Sequence, residues 1–177
     1  RNLSYRYARG SDRLDAQMFA SAFWDDGSFN QQSGIPMSAF AEQLVGIMGK
    51  FFALTHHLNG NSLIDFIDED RATSETYFRA FHLTNAGLSA EEAAFMIGER
   101  RLAELSHENG AVYDIIVGGR YLDEVERRDG AWKIKSRRLI FDYCDVRKSE
   151  CLRAGEGMTA QSAGTMARDR SDPSYST

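Results

Sequence analysis

Several frameworks are missing from this sequence of 177 residues. It has two cysteines, Cys144 and Cys151, too few for a disulfide scaffold or a zinc-ligand set, and a reducing cytoplasm is the expected compartment. It has two prolines, Pro36 and Pro173, and no Pro- or Ser-rich linker interrupts residues 1–153, so one domain is expected there. Apolar residues never run for the roughly 18 positions of a membrane span. Charge of one sign is not concentrated either. The chain carries 26 acidic against 21 basic side chains, a net charge of −5, and no basic block, which argues against a nucleic-acid partner. No repeat of 20–50 residues appears, which removes solenoids and propellers. The start, Arg1-Asn2-Leu3-Ser4, has neither a Met nor a signal-like apolar run, and a trimmed N-terminus is expected. What is present is ordinary globular composition, 42% apolar and 27% charged, in a chain long enough to bury roughly two-thirds of its surface.

The apolar pattern divides the chain in two. Leu3 and Tyr7 share helical spacing, and Gly10-Ser11-Asp12 is expected to break that helix. Leu14, Met18 and Ala22, with Phe19 and Phe23, predict a second short helix from about Arg13 to Trp24. Asp25-Asp26-Gly27 reads as a turn, and Gln31-Gln32-Ser33-Gly34 as the turn of a short hairpin. Pro36 opens a helix over 38–53, with Phe40, Leu44, Ile47, Met48 and Phe51 on one side. After Leu54 the pattern turns to strands. Runs over 55–67 and 73–83 flank the charged turn Asp68-Glu69-Asp70-Arg71. Runs over 111–127 and 131–143 flank Arg128-Asp129-Gly130, a strong hairpin signal. Strands of this length predict a bent or bulged sheet, and Gly118-Gly119 inside one of them predicts a bulge or close packing. Between the hairpins, Ser89 and Glu92 form a capping box for a helix over 89–105, with Phe95, Gly98, Leu102 and Leu105 on one face. Residues 154–177, rich in Gly, Ser, Ala and Arg with Met158, Met166 and Tyr175 as their large apolar members, read as a tail. Helices followed by a long meander give an α+β fold. The expected shape is a cone, with N-terminal helices packed on a strongly curved, mostly antiparallel sheet that encloses a cavity, the natural place for a ligand.

A few residues carry possible chemistry. His56 and His57 point to opposite faces of one strand, so one at most faces the interior, where histidine is the usual base near neutral pH. Alternatively it is a partly buried, hydrogen-bonded core histidine. Asp12 has a strong structural alternative too, because it or Ser11 suits the N-cap of the following helix. A carboxylate there is also placed to orient a histidine and stabilise its protonated form. Tyr7 offers a phenolic donor for a carbonyl, or is a core tyrosine. His82 shares an apolar strand face with Phe78 and Ala80, as a pocket residue or a satisfied core group. The histidines at 56, 57, 82 and 107 show no metal-ligand spacing, and no phosphate loop or Gly-x-Ser-x-Gly elbow occurs. Arg127-Arg128 and Arg137-Arg138 flank a hairpin and read as solvated, with one inward arginine left as an anion ligand.

Five segments carry a resemblance. Tyr7-Ala-Arg-Gly-Ser-Asp12, Phe23-Trp-Asp-Asp26, Thr55-His-His57, Gly118-Gly-Arg-Tyr121 and Glu126-Arg-Arg-Asp-Gly-Ala-Trp132-Lys-Ile resemble the SnoaL-like branch of the nuclear transport factor 2-like superfamily, over about residues 3–145. That branch holds scytalone dehydratase, bile-acid 7α-dehydratase and hexachlorocyclohexane dehydrochlorinase, lyases that use no cofactor. The resemblance implies an Asp–His dyad in the cone, with Asp12 as its aspartate and His57 as its base. It places Tyr7 on a tyrosine of the bile-acid enzyme, His82 on a second histidine of scytalone dehydratase, and Arg137 on an arginine of the dehydrochlorinase. His82, Phe29, Phe52, Phe78, Val117, Tyr121 and Arg137 are then the expected substrate contacts. The Phe29/Gln31 region replaces a pocket Trp or Tyr of the family, and a helical insertion at about 86–108 has no counterpart in the dehydrochlorinase. The implied function is a cofactor-independent, dehydratase-like elimination on a small hydrophobic, cyclic or polycyclic molecule, in a dimer or trimer away from membranes. A ketosteroid-type isomerase, the non-catalytic small subunit of an aromatic-ring hydroxylating dioxygenase, and a module that sequesters an apolar ligand are the alternatives.

Overall fold

The computed structural model describes residues 2–151, 157, 160 and 166–176. Two helices, α1 (Asn2–Asp12) and α2 (Ala16–Ala20), precede the first strand, β1 (Phe23–Phe29), and a third, α3 (Met37–Phe51), follows it. Then come β2 (Phe52–Phe66), β3 (Arg71–Thr84), the helix pair α4 (Ala90–Ile97) and α5 (Glu99–Glu104), β4 (Tyr113–Arg128) and β5 (Ala131–Lys148). The sheet runs β1-β5-β4-β3-β2. β1 is parallel to β5 and every other pairing is antiparallel, which gives the expected α+β architecture.

Bends come from the register. It slips between Phe52 and Leu54, between Asn59 and Ser62, at Gly118/Gly119 and at Glu124/Val125. Such slips insert residues on one edge and increase local twist. Gly119 has to be glycine, because a Cβ there would sit 1.9 Å from the Ile140 carbonyl oxygen. Inward-facing side chains then form successive rungs: Thr55 opposite His82, His57 opposite Ala80, Asn59 opposite Phe78, and Ser62 opposite Thr76. α1–α3 cover this face. One core cluster joins Tyr7, Phe19, Phe23, Phe29, Phe78 and Tyr121, and a second joins Met48, Phe51, Phe52, Leu102, Tyr113 and Ile115.

Four local expectations need correction. Gly10 does not break α1, which continues to Asp12. The glycine is there for packing, since a Cβ would lie 2.4 Å from the Phe19 backbone nitrogen. Neither Ser11 nor Asp12 caps the next helix; Asp15 does, accepting from the Met18 amide at 2.9 Å, and that helix ends at Ala20 rather than Trp24. Asp25-Asp26-Gly27 is not a turn but an irregular stretch within β1. Its carboxylates are spent outside the cone, Asp25 accepting from the Ser38 amide at the start of α3 and Asp26 from Lys135 and Arg128. The helix expected over 89–105 is divided at Gly98, whose φ of +91° suits only glycine, although the Ser89–Glu92 capping box forms as expected. Part of the tail, Met158 included, falls outside the described residues, but 166–176 pack back on α1 and α2. Among the described residues no helix is long and apolar enough to cross a membrane.

Candidate active site

α1 ends where β2 begins its inward-facing run, and the two meet at Asp12. Its Oδ1 accepts from the Thr55 hydroxyl at 2.9 Å and lies 2.7 Å from His57 Nδ1. Its Oδ2 accepts from the His57 backbone amide at 3.0 Å. The histidine is therefore held at both backbone and ring by one carboxylate. Burial alone raises the Asp12 pKa, but the hydrogen bonds and charge of His57, with the Thr55 bond, outweigh it and hold the carboxyl below its ordinary value. An ionised carboxylate accepts only, so Nδ1 carries the shared proton. Both side chains are more than nine-tenths buried, 7% and 9% exposed.

Aromatic rings enclose the pair. His57 stands edge-on to Tyr7, with centroids 6.1 Å apart, and to His82, 5.5 Å away. His82 rests on Phe52, and its Nδ1 has no hydrogen-bond partner among the described residues. Burial, and then the neighbouring His57, pushes the His82 pKa down to about 4, which keeps that ring neutral near pH 7. Burial pushes the Tyr7 hydroxyl up to about 12, so it remains a proton donor. Tyr7 and Tyr121 sandwich Arg137, whose guanidinium carbon lies 4.5 Å and 4.2 Å from their ring centres. Arg137 is not solvated: it is fully buried and pairs through Nε and Nη2 with both oxygens of Asp123, at 2.7 Å each. Its anion partner is thus within the chain.

Asp12, His57, Tyr7 and His82 come together as one constellation, with Arg137 reaching it through Tyr7. Phe78 and Tyr121 stack on each other with centroids 4.4 Å apart, and Phe29 packs behind Tyr7 against Phe40. Val117 is half-buried between the two core clusters. None of the seven expected substrate contacts lines the concave face's cavity of about 440 Å³, which lies further along the strands toward the hairpin turns. Its walls include Leu3, Ser4, Ser62, Thr76, Asp123 and Trp132. The groups between cavity and histidine are Asn59 and Arg137: Asn59 donates to the Ser4 carbonyl, and Arg137 Nη2 to the Ser4 hydroxyl. Asn59 Oδ1 and Arg137 Nη1 are buried without a partner among the described residues. Buried polar atoms seldom stay unpaired, so these two are exceptions within the cone, and neither residue lines the cavity.

The sequence reading missed Thr55, Asn59, Ser4, Asp123 and Arg168. Thr55 and Asn59 stand two residues either side of His57, and strand alternation alone puts all three on one face. Asp123 needed the β4–β5 register, in which it pairs with Arg137. Nothing in the local sequence marks Arg168. His56 is exposed on the other face, and His107 Nδ1 is engaged with the Tyr113 hydroxyl at 2.7 Å. Among the described residues no group of three His, Cys, Asp or Glu is placed to hold a metal ion.

Comparison with known proteins agrees with this geometry at the level of fold. One similar solved structure is a scytalone dehydratase candidate from Novosphingobium aromaticivorans DSM 12444, 23% identical, covering 85% of each chain with a TM-score of 0.58. A hexachlorocyclohexane dehydrochlorinase, LinA type 2, is 18% identical over 81% of this chain and 83% of its own, with a TM-score of 0.61. An aromatic-ring hydroxylase candidate, also from Novosphingobium aromaticivorans, is 16% identical over 84% and 89%, with a TM-score of 0.58. No functionally curated protein matches the chain. The SnoaL-like domain model matches residues 1–138, most of the sequence, and the chain belongs to the SnoaL-like family.

Proposed function

We propose that the chain is a cofactor-independent lyase that eliminates water, or another β leaving group, from a small hydrophobic cyclic carbonyl compound. The observation that carries this reading is the 2.7 Å contact between Asp12 Oδ1 and His57 Nδ1, in a carboxylate that also holds the histidine's own amide. His57 Nε2 takes the proton from the carbon beside the carbonyl. The C–H electron pair becomes the new C=C bond, and the leaving group departs with its own pair. Asp12 stabilises the imidazolium formed in that step, as the aspartate of a catalytic triad does. Tyr7, protonated at any working pH, donates to the carbonyl oxygen as it gains charge. Neutral His82 helps to orient the substrate without supplying charge. When the leaving group is hydroxide, the imidazolium returns its proton to it, and water is released. The likeness to dehydratase and dehydrochlorinase structures supports the reading.

A scaffold role is the second reading, favoured by the stacking of Phe78 on Tyr121 inside the cone. The test is a panel of cyclic β-hydroxy and β-halo carbonyl compounds, followed by absorbance of the conjugated product and by release of the leaving group. His57→Ala is expected to abolish both signals. Conjugation without a released group identifies an isomerase. No signal from the unmodified chain across the panel favours the scaffold.

A further inference from the structure

We propose that Arg168, in the C-terminal segment, is a positioning residue for the Asp12–His57 pair and acts through the Thr55 hydroxyl. The inference rests on the reading of that pair as the working one, but on a different part of the chain. Arg168 Nη2 donates to Thr55 Oγ1 at 3.2 Å. A threonine hydroxyl has one proton, and with its oxygen already accepting from a guanidinium, that proton goes to Asp12 Oδ1, 2.9 Å away. The order is thus Arg168 N–H to Thr55 O–H to Asp12, whose same oxygen faces His57 Nδ1. Each bond in such a chain polarises the next.

The same guanidinium fastens the two elements that carry the pair. It donates to the Asp12 carbonyl at 3.2 Å and to the Ser11 carbonyl at 3.4 Å, at the end of α1, and to the Phe52 carbonyl at the start of β2. Carbonyls in the last turn of a helix lack partners within it, and a cation there is favoured by the helix dipole. The helix end bearing Asp12 and the strand bearing Thr55 and His57 are therefore joined by one side chain, 156 positions after Asp12. The segment itself is anchored a turn away, by Asp172 on Arg13 at 3.0 Å, Tyr175 on Asp15 at 2.8 Å, and Arg9 on the Ser174 carbonyl at 2.8 Å. These anchors hold the backbone without touching Asp12, His57 or Thr55, which leaves Arg168 as the direct link to the pair.

The experiment is proton and nitrogen NMR of the full chain labelled at histidine, reading the His57 Nδ1–H resonance. The unmodified chain is expected to show it far downfield and slow to exchange. In Arg168→Ala it is expected to move upfield and broaden, and added guanidinium ion at sub-denaturing concentration is expected to restore it. Arg168→Lys is expected to be intermediate. Arg170→Ala, which removes the exposed arginine of an ion pair to Asp15, is expected to leave it in place. A wild-type resonance in Arg168→Ala overturns the proposal, as does a loss that guanidinium cannot reverse in a chain still folded by circular dichroism. If Arg168→Ala does not fold, Arg168→Gln replaces it with the same two outcomes. Absence of the resonance from the unmodified chain is a different failure, that of the Asp12–His57 pair itself.

Discussion

Two aspartates face the inside of the sheet, Asp12 from the end of α1 and Asp123 from β4, each buried and each 2.7 Å from a nitrogen partner. They differ in what the partner can do. Arg137 keeps its charge under all ordinary conditions, and although burial pulls its pKa down, Asp123 more than compensates. That pair fixes Tyr7 and Tyr121 around a permanent cation and borders the cavity. His57 is a base that can take up a proton, and Asp12 is placed to stabilise the cation that forms. The same residue type on the same face thus builds a frame at one end and, in the function proposed above, a proton-handling centre at the other, and the identity of the nitrogen partner decides which.

The contrast breaks most sharply on the frame. Asp123→Ala is expected to cost about 3–5 kcal/mol, because it leaves a buried guanidinium unpaired. Urea unfolding followed by circular dichroism measures it, and a cost below about 1 kcal/mol, the level of an exposed pair, would move Asp123–Arg137 out of the frame. At the other end, acid is the probe. The His82 pKa is 6.5 in the unfolded chain and about 4 in the folded one, so between those values the unfolded state binds a proton that the folded state does not. Stability therefore falls as pH is lowered from 6.5 toward 4, by about 3 kcal/mol in all for a shift of that size. Asp12, with its lowered pKa, contributes stability that is lost only in a more acid window, below its unfolded value of 3.8. His82→Asn is expected to flatten the first window and leave the second, and an unchanged slope would show that His82 does not titrate as a buried group. The smallest effect tests the approach of α1 to α2 behind the pair. Gly10→Ala drives a methyl against the Phe19 backbone and is expected to cost about 1–3 kcal/mol in thermal unfolding. A neutral result would mean the two helices separate freely.

Much of this was legible before any coordinates. The strand runs, the Asp129-Gly130 hairpin, the Ser89 capping box and the opposite facing of His56 and His57 follow from period and turn chemistry, while the choice of His57 as the inward one came from the family pattern. The Tyr7, Asp12, His57 and His82 constellation came from residue types placed on a family pattern, and the chain then brought them together. What stayed hidden depends on distance in space. Gly10 looks like a helix breaker until Phe19 is seen against it. Asp25-Asp26-Gly27 has the composition of a turn, yet β5 pairs with the residues on either side of it and carries it as an irregular stretch of β1. Arg137 reads as a surface residue of a basic doublet until the register sets it beside Asp123. Arg168 belongs to a tail of disordered-like composition, and only its return to α1 gives it a role.

The central claim is that Asp12 serves His57 chemically rather than as part of the frame. It is tested most directly by Asp12→Asn, which keeps shape and burial but removes the charge and allows the wrong imidazole tautomer. Once a carbonyl substrate from the panel is in hand, its initial elimination rate is compared between this variant and the unmodified chain, both shown folded by their unfolding transitions. The rate is expected to fall about 10²–10⁴-fold, the upper figure being the loss in the serine-protease triad when its aspartate is changed in the same way. An unchanged rate in a folded Asp12→Asn protein would contradict the account and return Asp12 to a purely structural part.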